Sequence, residues 1–315
     1  MASRPNASCW AWKASLATNR RSEVSNKAIR IHEFGGPEAL RWEEVPVGDP
    51  GPGQALVRNH FAGLNYIDIY HRTGLYPLPL PSGLGLEGMG VVEAVGSGAT
   101  EVQVGDRVAY CVGPIGAYAE RRVMPADRLV VLPHDIADDQ AAAMMLQGLT
   151  AQYLLRRTFP VRAGDTILIH AAAGGVGLIV CQWAKHLGVT VIGTVGSDEK
   201  AELARAHGCD HPIVYTRKNF VEEVRAITNN QGVPVVYDSV GRDTFMGSLD
   251  CLKPRGMLVS FGQSSGSVPP LDIGILSAKG SLYLTRPTLM HYAQAREDLV
   301  GGAAELFDVV RRGFV

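Results

Sequence analysis

The sequence predicts an α/β protein of two domains, a small β-rich domain followed by a doubly wound parallel sheet. Three observations carry that reading. Short apolar runs punctuated by Pro and Gly fill residues 27–132, as in a small twisted β domain. From Asp165 onward strand and helix patterns alternate, which is the signature of a parallel sheet with helices on both faces. The first of those strands runs into a glycine turn and then a helix, the context in which a dinucleotide phosphate is held.

In the first domain, Lys27 to His32 reads as a strand, Phe34-Gly35-Gly36-Pro37 turns it, and Leu40 to Val45 returns. Ala55 to His60, Gly88 to Val95, Val104 to Ala109, Gly116 to Val123 and Leu129 to Leu132 follow as strands. Asn65 to Tyr76 reads as a short helix and loop. Pro77, Pro79 and Pro81 force an extended passage. Asp138 to Arg157 is rich in Ala and Leu and is expected to cross as a helix into the second domain.

The second domain opens at Asp165. Thr166 to His170 is the first strand, and Val176, Ile179, Val180, Trp183 and Leu187 recur at helical spacing. Between them the window Ala172 to Gly177 reads A-x-G-x-x-G. Ala172 keeps the turn small, Gly174 lets a pyrophosphate approach the backbone, and Gly177 lets helix and strand pack closely. Free N–H groups and the positive dipole end at the helix start suit phosphate, so Ala173, Gly174, Gly175, Val176 and Gly177 are candidate nucleotide contacts. Strands follow at Thr190–Val195, Pro212–Tyr215, Val233–Tyr237, Met257–Phe261 and Ser281–Thr285. Helices are expected at Glu199–His207, Phe220–Thr228 and Asp243–Leu252, the last ended by Lys253-Pro254-Arg255-Gly256. Tyr292 to Val310 reads as a final helix. The working boundaries are 25–150, 151–287 and 288–315.

Composition narrows the class. Over 315 residues the net charge is −1, which gives no long-range pull toward nucleic acid or anionic membrane. No apolar run approaches the length of a membrane span. Five cysteines without a CxxC pair fit a reducing, cytoplasmic setting rather than a disulfide scaffold or a zinc lobe. The first 24 residues are basic and serine-bearing, with no acid before Glu23. A disordered leader or non-native extension is expected there, with an organellar presequence as the competing account.

The second strand bears on which nicotinamide nucleotide binds. An acid at its tip would take the ribose 2′-OH of NAD. This strand ends in Thr194-Val195-Gly196-Ser197, with Lys200 one turn into the next helix and Tyr215 ending the third strand. A hydroxyl, an ammonium and a phenol suit a 2′-phosphate, so NADPH is expected. Ser239 and the pair Phe261-Gly262 follow successive strands at their carboxyl ends, where such folds place ligands.

The segments GLNYIDIYHRTGLYPLPLPSGLGLEGMG, VGDRVAY, GAYAE, QGLTAQYLL, HAAAGGVGLIVCQWAK, VVYDSVGRDTF and LVSFGQSSG carry a resemblance. The chain resembles the zinc-free, zeta-crystallin-like quinone oxidoreductases of the medium-chain dehydrogenase/reductase superfamily. That resemblance implies a GroES-like catalytic domain, a Rossmann-type NADPH domain, and a homodimer joined through the edge strand Ser281–Thr285. It places Asn65, Tyr70 and Tyr76 around the nicotinamide and the acceptor, and Thr150 beneath the cofactor at the start of the crossover helix. Zinc enzymes of the superfamily have Cys, His and Cys where this chain has Asn65, Leu86 and Leu146, so no metal is expected. Cys111 and His71 are left as loose candidates. The expected activity is NADPH:quinone reduction. The alternatives are alkenal or enone double-bond reduction, a cofactor-binding structural or RNA-interacting role, and an inactive truncated product. The last arises because the resemblance implies further strands, and an Arg holding the 2′-phosphate, beyond Val315. The C-terminal part of the catalytic domain is therefore expected to be missing.

Overall fold

The computed structural model describes residues 25–315, and the expected leader over residues 1–24 lies outside them. The first unit is β-rich. A five-stranded antiparallel sheet has the order Arg121–Pro125, Gln54–Gly63, Glu87–Val95, Arg107–Tyr110, Val130–Val131. A three-stranded sheet, Arg41–Glu44, Lys27–Ile31 and Ser82–Gly83, packs beside it. Ala55, Val57, Val92, Val108 and Met124 alternate inward and form the core of this unit.

The second unit is a six-stranded parallel sheet. Its order is His211–Val214, Thr190–Val195, Thr166–Ile169, Val233–Asp238, Leu252–Ser260, Tyr283–Thr285. The first strand in sequence thus lies beside the fourth, parallel to it, and the order in which strands are added reverses between them. A ligand crevice opens at the carboxyl ends of such a pair. Helices cover both faces, so the central strands read as continuous apolar runs: all six residues of Val233–Asp238 are buried. Each fully buried Leu or Ile here contributes roughly 2 kcal/mol.

The helix Asp138–Tyr153 joins the units and buries Ala141, Met145 and Leu149. The helix Arg296–Arg311 packs on it through Leu299, Ala303 and Leu306. Close approach needs Gly148, where an added Cβ would stand 2.6 Å from Leu306 Cδ1. Arg296 ties this last helix to the β-rich unit, donating to the carbonyls of Asp127 at 2.7 Å and Leu129 at 3.0 Å.

Several elements differ from the expectation. The region Gly116–Glu120 is not a strand of the sheet. Its N–H groups turn inward to the carbonyls of Gly85 and Leu84, and the strand begins only at Arg121. Lys253–Gly256 does not separate helix from strand but lies inside the strand Leu252–Ser260. Pro254 has no N–H and Arg255 takes φ +61°, so the register jumps from Val233–Leu252 to Val235–Met257 as a bulge. The helix before it is shorter, Phe245–Asp250. The terminal helix begins at Arg296 rather than Tyr292 and runs to Arg311, after a separate short helix Leu289–Tyr292.

Candidate active site

Between the two units lies a cavity of about 850 Å³. One wall is the switch point of the parallel sheet. Strand Thr166–Ile169 ends in His170, Ala171 takes φ +54°, and the helix Gly175–His186 begins immediately after the turn. Gly174, Gly175, Val176 and Gly177 line the cavity there. Gly177 must be glycine: an added Cβ would lie 2.7 Å from the Ala172 carbonyl oxygen and closer still to that of Ala171. The helix start therefore meets the cavity as bare backbone, with its first N–H groups free for an anion.

Beneath this turn runs a buried polar chain. His170 bonds Thr194 Oγ1 and Ser248 Oγ, both at 2.9 Å, and Ser248 donates to Asp238 at 2.8 Å. Burial lowers the pKa of His170, which keeps the ring neutral. Asp238 accepts from the N–H groups of Val240 and Gly241, at 2.8 and 3.0 Å, and so shapes the turn that carries Ser239. Ser239, Phe261 and Gly262 line the cavity beside it.

The opposite wall is made of side chains from the β-rich unit. Asn65 precedes the helix Tyr66–Arg72 and caps it: its backbone N–H donates to Asp68 Oδ2 at 2.9 Å. The Asn65 side chain donates to Glu87 Oε2 at 2.6 Å and accepts from Gln147 Nε2 at 3.2 Å. Gln147 in turn sits against Gly175, where a Cβ would clash with its amide. Glu87 is fully buried and accepts the Leu146 N–H at 2.8 Å. Burial raises its carboxyl to about 7, against the opposing bonds from Asn65 and Leu146. A hydrogen-bonded path thus runs from Glu87 through Asn65 to Gln147, which packs against the glycine turn.

Tyr70 and Tyr76 pack edge to face, with ring centroids 5.1 Å apart. Each hydroxyl accepts from the facing unit. The Gln263 N–H reaches Tyr70 Oη at 3.2 Å, and Arg286 Nη2 reaches Tyr76 Oη at 3.0 Å. An acceptor hydroxyl keeps its own proton for another partner. Burial raises the Tyr70 pKa, so this phenol is a neutral donor near pH 7.

One expectation is corrected in place. Thr150 lines the cavity but does not start the crossover helix. It lies in the last turn of Asp138–Tyr153, with its hydroxyl donating to the Leu146 carbonyl at 2.7 Å. Ala173, Gly196, Ser197, Lys200 and Tyr215 do not line the cavity. The last four gather at the carboxyl ends of the second and third strands. Lys200 N–H donates to Ser197 Oγ at 3.3 Å, and a Cβ on Gly196 would stand 3.2 Å from Tyr215 Oη. Arg217 pairs there with Asp198, 2.8 Å in one of its two bonds.

The zinc positions can be tested on their donors. Asn65, Leu86 and Leu146 do converge on the cavity. Two of them are hydrocarbon, the Asn65 amide is engaged at both ends, and both Glu87 oxygens are bonded. These residues do not fit a zinc ion. Among the described residues no cluster of three His, Cys, Asp or Glu has metal-site geometry, and Cys111 is a buried thiol whose pKa burial pushes up. Nor does any helix among them have the length and apolarity to cross a membrane.

A barrel-like β unit facing a dinucleotide-type sheet across such a cleft defines a medium-chain dehydrogenase/reductase. Family models agree: residues 51–134 match an alcohol dehydrogenase GroES-like domain and residues 175–305 a zinc-binding dehydrogenase domain. A quinone oxidoreductase of Pseudomonas aeruginosa is 57% identical over 288 residues, 91% of this chain and 89% of that protein. A 2-haloacrylate reductase of a Burkholderia species is 50% identical, covering 91% and 88%. The crystal structure of Escherichia coli quinone oxidoreductase complexed with NADPH superposes with a TM-score of 0.90 at 49% identity, covering 92% of this chain and 89% of that one. The chain belongs to the zinc-independent quinone oxidoreductase family of that superfamily.

Glu87, Gln147, His170 and Arg286 are residues at the cavity or in its supporting network that the sequence pattern did not single out. A carboxylate at the head of the glycine-rich strand Glu87–Val95 was the available signal for Glu87. For Arg286 it was a charge directly beyond the carboxyl end of a strand.

Proposed function

We propose that this chain is an NADPH-dependent quinone reductase that works without a metal. The observation that carries the reading is the pair of phenols facing a glycine-lined helix start across one cavity. NADPH, when bound, supplies the reducing equivalents. Gly174 to Gly177 hold its pyrophosphate through backbone N–H groups, with Ala173 completing the turn. Gly196, Ser197, Lys200 and Tyr215 surround the 2′-phosphate. Thr150, Ser239, Phe261 and Gly262 border the nicotinamide. Asn65, fixed by Glu87 and Gln147, orients the ring and its acceptor.

Tyr70 and Tyr76 donate their free phenolic protons to the acceptor oxygen as negative charge develops on it. A quinone or conjugated enone needs only that help, because its own conjugation spreads the charge. Leu64, Ile67, Ile69 and Leu146 exclude water from the acceptor face. Enone reduction is the second reading, and the haloacrylate-reducing relative, named for an activated double bond, favours it.

The edge strand Tyr283–Thr285 supports a homodimer in which the two sheets run on across the interface. Tyr283 is 58% exposed and the outer edge of the strand is unpaired. Residues 25–150, 151–287 and 288–315 are the working division into catalytic unit, cofactor unit and returning helix. A cytoplasmic setting without nucleic-acid partners fits the near-neutral charge. The test is NADPH oxidation against a panel of quinones and enones, with NADH and added zinc as controls. Activity that appears only with zinc, or with no acceptor of either class, would remove the reading.

A further inference from the structure

The acceptor cavity is walled by hydrocarbon, amide, phenol and backbone, with one permanent charge. Of the residues lining it, only Arg286 is an Arg, Lys, Asp or Glu. Its guanidinium is held from two sides: Nη1 donates to the Ser260 carbonyl at 2.9 Å and Nη2 to Tyr76 Oη at 3.0 Å. No ion pair among the described residues involves it. A guanidinium has five donors, so several remain free. Holding a phenol in place needs a donor but no charge. The glycine turn already offers the phosphate contacts, whereas Arg286 bonds the tyrosine on the acceptor side. Arg286 is itself exposed, so water screens part of its charge. A fixed, unpaired cation at the rim of apolar walls is still preorganised for a carboxylate, which it can grip with two parallel bonds.

We infer that Arg286 is a specificity-determining residue that binds a carboxylate carried by the acceptor, so that the site favours quinones or enones bearing an acid group over neutral ones. This rests on the cavity being the acceptor site of the activity proposed above. For an enone acid the balance is simple. A hydride from NADPH forms the new C–H bond at the β carbon, the π pair closes onto the α carbon, and water supplies the proton there. NADPH leaves as NADP⁺ and the product is the saturated keto acid.

The test uses 4-oxo-2-pentenoate and its methyl ester as acceptors for the full chain. The acid is expected to be used with a kcat/KM roughly 3- to 10-fold above the ester, chiefly through KM, since the guanidinium is exposed. Arg286→Gln should collapse that acid-to-ester ratio toward one, and Arg286→Lys should restore part of it. A role limited to supporting Tyr76 would lower both substrates equally and leave the ratio where it was, which overturns the inference. A second measurement is independent of turnover and of the variants. By calorimetry, 4-oxopentanoate should bind the wild-type protein at least about threefold more tightly than its methyl ester, and equal affinities would overturn the inference too. If neither acceptor nor any plain quinone is reduced while the saturated acid still binds preferentially, the reductase reading fails and the carboxylate site stands.

Discussion

The two walls of the cleft are built on opposite principles. At the glycine turn the sheet side meets the ligand as backbone: three glycines, a small turn and a helix start. The β-rich side meets it as side chains, Asn65, Tyr70, Tyr76 and Gln147, each held by a partner far off in sequence. A backbone wall has one failure mode, a Cβ where none fits. A side-chain wall fails through its network, and its weakest member is a buried carboxylate with no cation to offset it.

The largest expected effect tests that carboxylate. Burial lifts Glu87 from 4.5 to about 7, so between those values the folded chain binds a proton that the unfolded chain releases. Stability contributed by this group is therefore full below the unfolded value, falls as pH rises through the window, and is level above about 7. The span is worth about 3 kcal/mol. Glu87→Gln should remove that slope in urea unfolding followed from about pH 4 to 8. A variant that keeps the wild-type slope would show that the side-chain wall does not hinge on this group.

The backbone wall is tested at Gly177. Glycine to alanine inside a helix ordinarily stabilises by up to about 1 kcal/mol. Here the added methyl meets two carbonyl oxygens of the preceding turn, and a loss of about 2 kcal/mol is expected. Thermal unfolding with and without NADPH checks it: the melting point should fall and NADPH should raise it less than in wild type. A stabilised Gly177→Ala would mean that the turn has room that the close approach denies.

The contrast also explains what was legible. Backbone sites are written locally, so the turn at Ala172–Gly177, the strand–helix alternation of the parallel sheet and the absence of zinc ligands at Asn65, Leu86 and Leu146 could all be read from a few adjacent residues or from the resemblance they carry. Side-chain sites are written across the chain. Tyr70 meets Gln263 and Tyr76 meets Arg286 over separations of 193 and 210 residues, which no local pattern encodes. The bulge at Lys253–Gly256 was misread for a related reason. Pro and Gly together signal a turn, and only pairing with the strands on either side keeps those residues in the sheet.

Tyr76→Phe probes the side-chain wall at the point of chemistry. Removing the hydroxyl leaves Arg286 without that acceptor and the substrate oxygen without one donor. Turnover should fall about tenfold, equal to about 1.4 kcal/mol, with the dissociation constant for NADPH unchanged. Steady-state rates with two unrelated quinones decide it, and unchanged rates with both would reduce Tyr76 to packing.

The smallest effect lies outside the cavity, where the two principles meet. Lys200 is exposed, and its backbone is fixed by the Ser197 cap while its ammonium is free to move in solvent. An exposed lysine facing a phosphate contributes about 1 kcal/mol, because water and salt screen it. Asp198 does not oppose this, since Arg217 pairs with it. Lys200→Ala should therefore weaken NADPH about fivefold and leave NADH, which lacks the 2′-phosphate, unmoved. Fluorescence titration of both nucleotides at low and high salt separates the cases. The NADPH loss should shrink as salt rises. An equal loss for both nucleotides would shift the 2′-phosphate contact from this side chain to the backbone and hydroxyls of Gly196, Ser197 and Tyr215, making this end of the site a continuation of the backbone wall.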